Sequence, residues 1–256
     1  EDYFEINSAS VKSLSLTPAL DLNPKLNEFT TGWVDDIWTA FGEKGYVALA
    51  FWLGSLFAEQ IRERDKSFPF LEIVGEPGTG KSTLIEFLWK LAGREEYEGF
   101  DPSKSTAAAR GRNFAQVGNL PVVLIEGDRT TDNAKQRAFD WDELKSLYNG
   151  RASRAVGIKS NNNETYEPPF RGSIVIAQNA DTDGSKAFLE RIIHIYTDKR
   201  GQSIQTRHAA ERLEQLPVSQ VSGFTLLATM REKEIMQTFG RGYERARNEL
   251  ESNSSI

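Results

Sequence analysis

The sequence has no cysteine and only two histidines in 256 residues. The missing thiols exclude disulfides, thiolate metal sites and zinc ribbons, and nothing points to an oxidising compartment. His194 and His208 are too few and too far apart for a metal site. Because His194 alternates within an apolar strand pattern, we expect it to be a hydrogen-bonded core residue.

Long hydrophobic runs are also lacking. The most apolar segment, residues 46–58, is 13 residues long, well short of the ~20 that a membrane-spanning helix needs. It predicts a buried helix and no membrane partner. Residues 1–4 carry neither an initiator Met nor a signal-peptide pattern. We therefore expect a cytoplasmic domain of a longer protein.

The chain has no excess of positive charge, since its net charge is −6. This excludes a uniformly basic nucleic-acid-binding protein, but the charged residues are unevenly distributed along the chain. Residues 101–160 contain ten Lys or Arg against seven Asp or Glu. The central part of the chain is therefore the part best suited to face phosphates.

The most informative segment is a glycine-rich loop between an apolar strand and a helix. The loop has the pattern Gly-x-x-x-x-Gly-Lys-Ser, in which backbone N–H groups and a helix N-terminus cradle phosphates. We expect Lys81 to reach the β- and γ-phosphates of ATP and Ser82 to hold Mg²⁺. The predicted nucleotide-binding residues are Gly75, Glu76, Pro77, Gly78, Thr79, Gly80, Lys81, Ser82 and Thr83.

Two acids follow the next buried strand pattern, residues 121–125. Nucleotide hydrolysis needs carboxylates to organise Mg²⁺ and to orient the attacking water. We assign Glu126 to the metal and Asp128 to the water, although their order could be the reverse. Both are therefore candidate metal ligands and catalytic residues.

A polar residue on a neighbouring strand commonly senses the γ-phosphate, and Asn179 closes the strand pattern of residues 173–177. The alternative is a turn-forming Asn. Arg191 lies between a helical segment and the strand of residues 192–196. From there its guanidinium could reach a neighbouring subunit's nucleotide and stabilise the transition state. The alternative is an intramolecular ion pair.

A basic β-hairpin is predicted between residues 151 and 170. Its cations, Arg151, Arg154 and Lys159, would form a ring in an oligomer and could grip a single-stranded nucleic-acid backbone. The alternative is a plain surface hairpin.

Strand and helix patterns alternate along the chain, which indicates an α/β fold with a mainly parallel sheet. We expect an irregular lead-in to residue 30, helices over residues 31–64, a helix around Trp141–Tyr148, and helices again from residue 205. Hairpin strands are expected at residues 155–159 and 165–170. The predicted division is an N-terminal helical segment (1–66), a P-loop core (67–200) and a C-terminal helical lid (201–256). Arg207 and Arg212 are candidate lid arginines.

The order of these motifs resembles the AAA+ ATPases, and within them the helicase modules of superfamily 3 and of phage or mobile-element primase-helicases of the poxvirus type. The resemblance covers roughly residues 68–199. It implies a homo-oligomeric ring, usually a hexamer, that binds ATP between subunits and moves single-stranded DNA. Lys81, Ser82, Glu126, Asp128 and Asn179 would belong to one site, with Arg191 from the neighbour and Lys159 in the pore. The separated, inverted acids depart from the family's adjacent pair.

The resulting hypothesis is an ATP-dependent DNA helicase or translocase module of a replication protein, with a fused or partner primase. The alternative is a nucleotide-dependent loader or transposition-type regulatory ATPase that binds DNA and a protein partner without unwinding. A small-molecule kinase is a third reading, but no acceptor pocket is recognisable in the sequence.

Overall fold

A computed structural model describes residues 3–6, 9–12, 20–116, 118–125, 139–153, 155–157 and 165–253. Near the N-terminus, strands β1 (Tyr3–Ile6) and β2 (Ala9–Lys12) pair antiparallel. The expectation of a wholly irregular lead-in was therefore wrong. The aromatic and β-branched residues of β1 favour a strand, a signal that the neighbouring polar residues and prolines obscured.

A four-stranded parallel sheet organises the chain. Its strands, in chain order, are β3 (Phe70–Gly75), β4 (Gly118–Ile125), β7 (Arg171–Gln178) and β8 (Ile192–Thr197). In space they are ordered β4-β7-β3-β8, and every pairing is parallel. Phe100 adds a single parallel bridge to Leu124 on the outer edge of β4. The carboxyl ends of the strands therefore meet at one edge, where α/β proteins bind ligands.

Helices cover both faces of this sheet. They are α1 (Trp33–Ser55), α2 (Ala58–Asp65), α3 (Lys81–Leu91), α4 (Ala107–Gln116) and α5 (Lys186–Leu189). One core joins α1 and α3 to the face that carries Leu71 and Ile73. The second core lies on the opposite face, against Phe70. The alternation of side chains along β3 accounts for the two cores, and the predicted α/β class is confirmed.

The segment predicted as a helix around Trp141 is a 3₁₀ helix, Trp141–Asn149. Its buried apolar residues, Trp141, Leu144 and Leu147, recur every third position, which matches the three residues per turn of a 3₁₀ helix. Short 3₁₀ helices also occur at Leu26–Glu28 and Pro102–Lys104.

The hairpin that follows is described only at its base. Strands β5 (Val156–Gly157) and β6 (Thr165–Tyr166) pair antiparallel, as expected, but β6 ends before Pro168 and Pro169 rather than reaching Phe170. Proline lacks the N–H that a strand ladder needs, so the two prolines shorten the strand.

The described residues after β8 are largely helical, as the sequence indicates, and form α6 (Ile204–Gln215), α7 (Val218–Val221), α8 (Gly223–Met230) and α9 (Glu232–Asn253). Helix α6 packs against α1 and α3. Across the described ranges, no helix combines the length and the apolar character that crossing a bilayer requires.

His194 differs from its expected core position. It lies on β8, the edge strand, and 43% of its side-chain surface is exposed. The expectation of a hydrogen-bonding partner is correct, because Nδ1 lies 2.8 Å from Oε2 of the buried Glu72. An edge strand has a neighbour on one side only, which leaves the imidazole partly open.

Candidate nucleotide-binding site

The glycine-rich loop lies where β3 ends and α3 begins. All six residues of β3 are buried, which fixes the start of the loop. Gly78 and Gly80 have φ angles of 80° and 88°, left-handed values that glycine adopts without steric cost. The chain can therefore curl and enter α3 directly at Lys81, so that a helix N-terminus faces the loop.

The Lys81 ammonium group lies inside this curl. Its Nζ donates to the carbonyl oxygens of Gly75, at 2.5 Å, and Glu76, at 3.0 Å. Partial burial lowers the pKa of Lys81, while the Glu98 carboxylate acts in the opposite direction. The cation is thus held at the mouth of the loop by neutral acceptors that an anion can replace.

The edge strand β8 supports the loop from the side. The hydroxyls of Thr79 and Thr197 lie 2.8 Å apart, and Thr197 Oγ1 donates to the Val74 carbonyl at 3.0 Å. A Cβ atom on Gly75 would collide with the Thr197 carbonyl. The close approach of the two strands therefore requires glycine at position 75.

A cavity of about 470 Å³ opens at the carboxyl edge of the sheet beside this loop. Its lining includes Lys81 and Ser82, at the start of α3, and Asn179, directly after β7. The sequence predicted these three residues to share a site, and the fold brings them together. Ile125 also lines the cavity, so the residue before Glu126 is at its wall. Glu126 and Asp128 themselves lie outside the described residues.

Glu98 is a cavity residue that the sequence reasoning missed. Its Oε1 accepts a hydrogen bond from Ser82 Oγ at 2.6 Å, and its side chain lines the same cavity. The only available signal was the acidic run before Gly99 and Phe100. An acidic run of this kind is typical of solvated surface. In the structure, the bridge from Phe100 to Leu124 places it beside the sheet.

Thr83 lines the same cavity and also makes a contact to the C-terminal helices. Its hydroxyl donates to Glu214 Oε1 of α6 at 2.7 Å. Lys90 on the same helix donates to the Glu214 and Leu216 carbonyls, at 2.6 and 3.0 Å. These contacts fasten the end of α6 to α3, the helix that begins at the phosphate loop.

A second, larger cavity of about 980 Å³ lies on the other side of the loop, between α1 and α6. Trp38, Phe41, Asp198 and Arg207 line it, together with Gly80. Of the two candidate lid arginines, only Arg207 faces this cavity. Arg212 instead forms an ion pair with Asp36 of α1.

The aromatic wall of this cavity depends on a bend in α1. Gly42 has φ 58° and ψ −143° inside the helix, a conformation that strains any side chain with a Cβ. The bend sets Phe41 against Gly80, where an added Cβ would lie 3.0 Å from the ring. The sequence predicted helices over residues 31–64, and the bend was not foreseen.

Part of the cavity lining is charged. Hydrogen bonds from Arg200 hold the pKa of the Asp198 carboxyl well below its usual range, and Lys44 adds a smaller effect in the same direction. The carboxylate lies 2.8 Å from Arg200 Nη2 and 3.6 Å from Lys44 Nζ. Asp198 is therefore an ionised acceptor at neutral pH.

Arg191 lies at the start of β8, away from the two cavities. Its Nη1 donates to the Ala187 carbonyl, and its guanidinium carbon lies 5.2 Å from the centre of the Tyr148 ring. Its Nε atom is buried, and the described residues offer it no hydrogen-bond partner. Among the described residues, its contacts are thus a carbonyl and an aromatic ring rather than a carboxylate.

Of the predicted nucleic-acid contacts, Arg151 is exposed just before the hairpin, with its backbone N–H bonded to the Ser146 carbonyl at 3.1 Å. Arg154 and Lys159 lie outside the described residues. The grip on DNA therefore stays a prediction.

The chain was compared with known proteins by sequence and by structure. No protein-family model matches the chain. The chain is 32% identical over 84 residues to the Lon protease of Syntrophus aciditrophicus (strain SB). The matched region covers 32% of this chain and 10% of that protein.

Among solved structures, the SCCmec type IV Cch active helicase matches with a TM-score of 0.56 and 15% identity, over 95% of this chain and 47% of that one. The apo A form of the NrS-1 C-terminal region matches over 88% and 51%, with a TM-score of 0.45 and 18% identity. The chain thus spans about half the length of these solved chains. At this level of identity, the likeness to Cch bears on the fold. The chain shares the α/β fold of this helicase structure, which is the fold that the resemblance implies.

Proposed function

We propose that this chain is an ATP-binding and ATP-hydrolysing module of a DNA helicase or translocase. The observation that supports it most is the shared cavity of Lys81, Ser82 and Asn179. A loop cation, a hydroxyl at a helix N-terminus and an amide from the adjacent strand are among the groups that promote phosphoryl transfer to water.

The phosphates are bound by the loop N–H groups and by Lys81, whose ammonium leaves the Gly75 and Glu76 carbonyls for phosphate oxygens. Asn179 orients the attacking water from the end of β7. Glu126 and Asp128, at the end of β4, supply the carboxylates that the proposal needs for the metal and for the water. These roles stabilise charge and position reactants, which is how P-loop enzymes accelerate hydrolysis.

The oxygen donors at this site fit Mg²⁺, which prefers hydroxyl, carboxylate and phosphate oxygens. Ser82 Oγ and the Glu98 carboxylate both line the cavity. When bound, Mg²⁺ neutralises negative charge on the β- and γ-phosphates. Ser82 would hold it together with Glu126 and Asp128.

The larger cavity suits the base and ribose of the nucleotide. Trp38 and Phe41 offer apolar faces for a base, and ionised Asp198 offers an acceptor for a hydroxyl or an amino group. Arg207 points from α6 into the same space, where a guanidinium can contact a phosphate. The lid helices would thereby close on the nucleotide.

We further propose that the module acts in a ring, expected to be a hexamer, within a replication protein that carries or recruits a primase. Arg151, Arg154 and Lys159 would hold single-stranded DNA, and Arg191 would act on a neighbour's nucleotide. The P-loop core would span residues 67–200, between segments 1–66 and 201–256. This assembly rests on the resemblance and on the position of these residues in the sequence.

Calorimetric titration with ATP and Mg²⁺ tests the nucleotide site directly. The parent protein is expected to bind ATP, and Lys81→Ala to lose binding, because the loop then lacks its only side-chain cation. Lys186→Ala is the matched control, since its side chain is 91% exposed and its weak pair with Glu190 is remote from the loop. Equal ATP affinity of parent and Lys81→Ala would refute the site.

A further inference from the structure

The contact between Ser82 and Glu98 suggests a residue role that the motif does not contain. Ser82 Oγ donates to Glu98 Oε1 at 2.6 Å, a short distance typical of a hydroxyl bonded to a carboxylate. Among the described residues that line the smaller cavity, Glu98 is the one acid. The Glu98 carboxylate is therefore hydrogen-bonded to the same Ser82 hydroxyl that is proposed to hold Mg²⁺.

Glu98 is held in place by its backbone neighbours. Its carbonyl accepts a hydrogen bond from Trp89 Nε1 of α3 at 3.3 Å. Two residues later, Phe100 N donates to the Val123 carbonyl at 3.1 Å. Between them, Gly99 lies so close to β4 that an added Cβ would be 2.5 Å from the Val123 carbonyl. The segment is thus fixed between α3 and the sheet, and its carboxylate reaches Ser82 from a defined direction.

The chemistry of a hydroxyl makes this direction important. A serine hydroxyl has one proton and two lone pairs, and a cation can be bound only by a lone pair. When the proton points at Glu98, the lone pairs are available on the cavity side. When the proton points into the cavity, it repels the cation.

We propose that Glu98 is a positioning residue that accepts the Ser82 proton and thereby turns a Ser82 lone pair towards the divalent cation of the bound nucleotide. This inference rests on the proposed function of the same site. Under this proposal the site contains three carboxylates, namely Glu98 from the segment after α3 and the predicted pair Glu126 and Asp128 at the end of β4.

The proposal predicts opposite effects with and without metal. Without Mg²⁺, the Glu98 charge repels the phosphates, so its removal leaves ATP affinity unchanged or raises it. With Mg²⁺, removal allows the Ser82 proton to turn into the cavity and weakens binding. Loss of a residue that orients a metal ligand typically costs about 10–100-fold in metal affinity.

The test is calorimetric ATP binding in EDTA and in Mg²⁺, together with direct Mn²⁺ titration of the ATP complex by electron paramagnetic resonance. Glu98→Ala is expected to lower Mn²⁺ affinity at least about tenfold without weakening ATP binding in EDTA. Glu98→Gln keeps an acceptor oxygen and should lose less. Glu95→Gln, an exposed acid three residues earlier, is the control and should match the parent.

A double-mutant cycle with Ser82→Ala separates positioning from a general charge effect. If Glu98 acts through Ser82, Glu98→Ala adds no further loss of Mn²⁺ affinity in the Ser82→Ala background. Independent, additive losses would overturn the inference, as would parental Mn²⁺ affinity in Glu98→Ala. A parent protein that binds no ATP in either buffer would instead refute the proposed function, so the two failures are distinguishable.

Discussion

His194 Nδ1 lies 2.8 Å from Oε2 of Glu72, a carboxylate buried within the sheet on the strand that leads to the phosphate loop. The other oxygen of Glu72 accepts hydrogen bonds from Thr182 N at 2.8 Å and Gln178 Nε2 at 2.9 Å, and from the Thr182 hydroxyl. Gln178 and Thr182 flank Asn179. Glu72 therefore joins the phosphate-loop strand to the turn that carries Asn179.

Glu72→Ala should destabilise the fold and slow hydrolysis more than it weakens ATP binding. Unpaired buried donors cost roughly 1–3 kcal/mol of unfolding free energy, and the freed turn would no longer hold Asn179. Denaturant unfolding and steady-state kinetics measure the two effects. Glu72→Gln retains an acceptor for the turn and is expected to keep most of the turnover. Unchanged kcat in a folded Glu72→Ala protein would contradict a link to Asn179.

Arg207 and Arg212 form a matched pair on α6. Arg207→Ala should weaken ATP binding about tenfold, the order of one charge-assisted hydrogen bond, without changing thermal stability. Arg212→Ala should leave ATP affinity unchanged and lower stability only slightly, because its ion pair with Asp36 is exposed and screened by solvent. Calorimetry and thermal unfolding check both. If Arg212→Ala weakened ATP binding and Arg207→Ala did not, the nucleotide would lie outside the larger cavity.

Arg62 fixes the base of the hairpin segment. Burial lowers the pKa of this residue to about 10, and its guanidinium donates to the Tyr148 and Phe170 carbonyls at 3.2 and 3.5 Å. Arg62→Ala should cost roughly 2–4 kcal/mol, from the cavity left and the donors lost. Arg171→Ala, which breaks an exposed pair with Glu59, should stay within about 0.5 kcal/mol. Equal unfolding midpoints for the two variants would rule this anchoring out.

Arg191→Ala should bind ATP like the parent but hydrolyse it about 10³-fold more slowly, if the arginine acts on a neighbour's nucleotide. Mixing Arg191→Ala with Lys81→Ala provides the decisive readout. Mixed oligomers contain interfaces that combine an intact Lys81 with an intact Arg191, so part of the activity should return. A mixture as inactive as its components would argue for a role within one subunit.

The sequence predicted those parts of the site that are encoded locally. The glycine-rich loop, Lys81 and Asn179 each follow a recognisable strand, and the ends of parallel strands must meet. The role of Glu98 could not be predicted, because its contact with Ser82 depends on the tertiary structure. The segment after α3 runs back to the start of that helix, where Ser82 lies. The position of Phe41 against Gly80 could not be predicted either, because it follows from the bend at Gly42 inside α1. Glu126, Asp128, Arg154 and Lys159 lie outside the described residues and stay predictions.

The most direct test of the whole account is steady-state ATP hydrolysis, with and without single-stranded DNA, over a range of protein concentrations. The account predicts turnover that DNA stimulates, that rises cooperatively with protein concentration, and that Lys81→Ala abolishes. Tight ATP binding with negligible turnover under every condition would contradict a translocating ATPase.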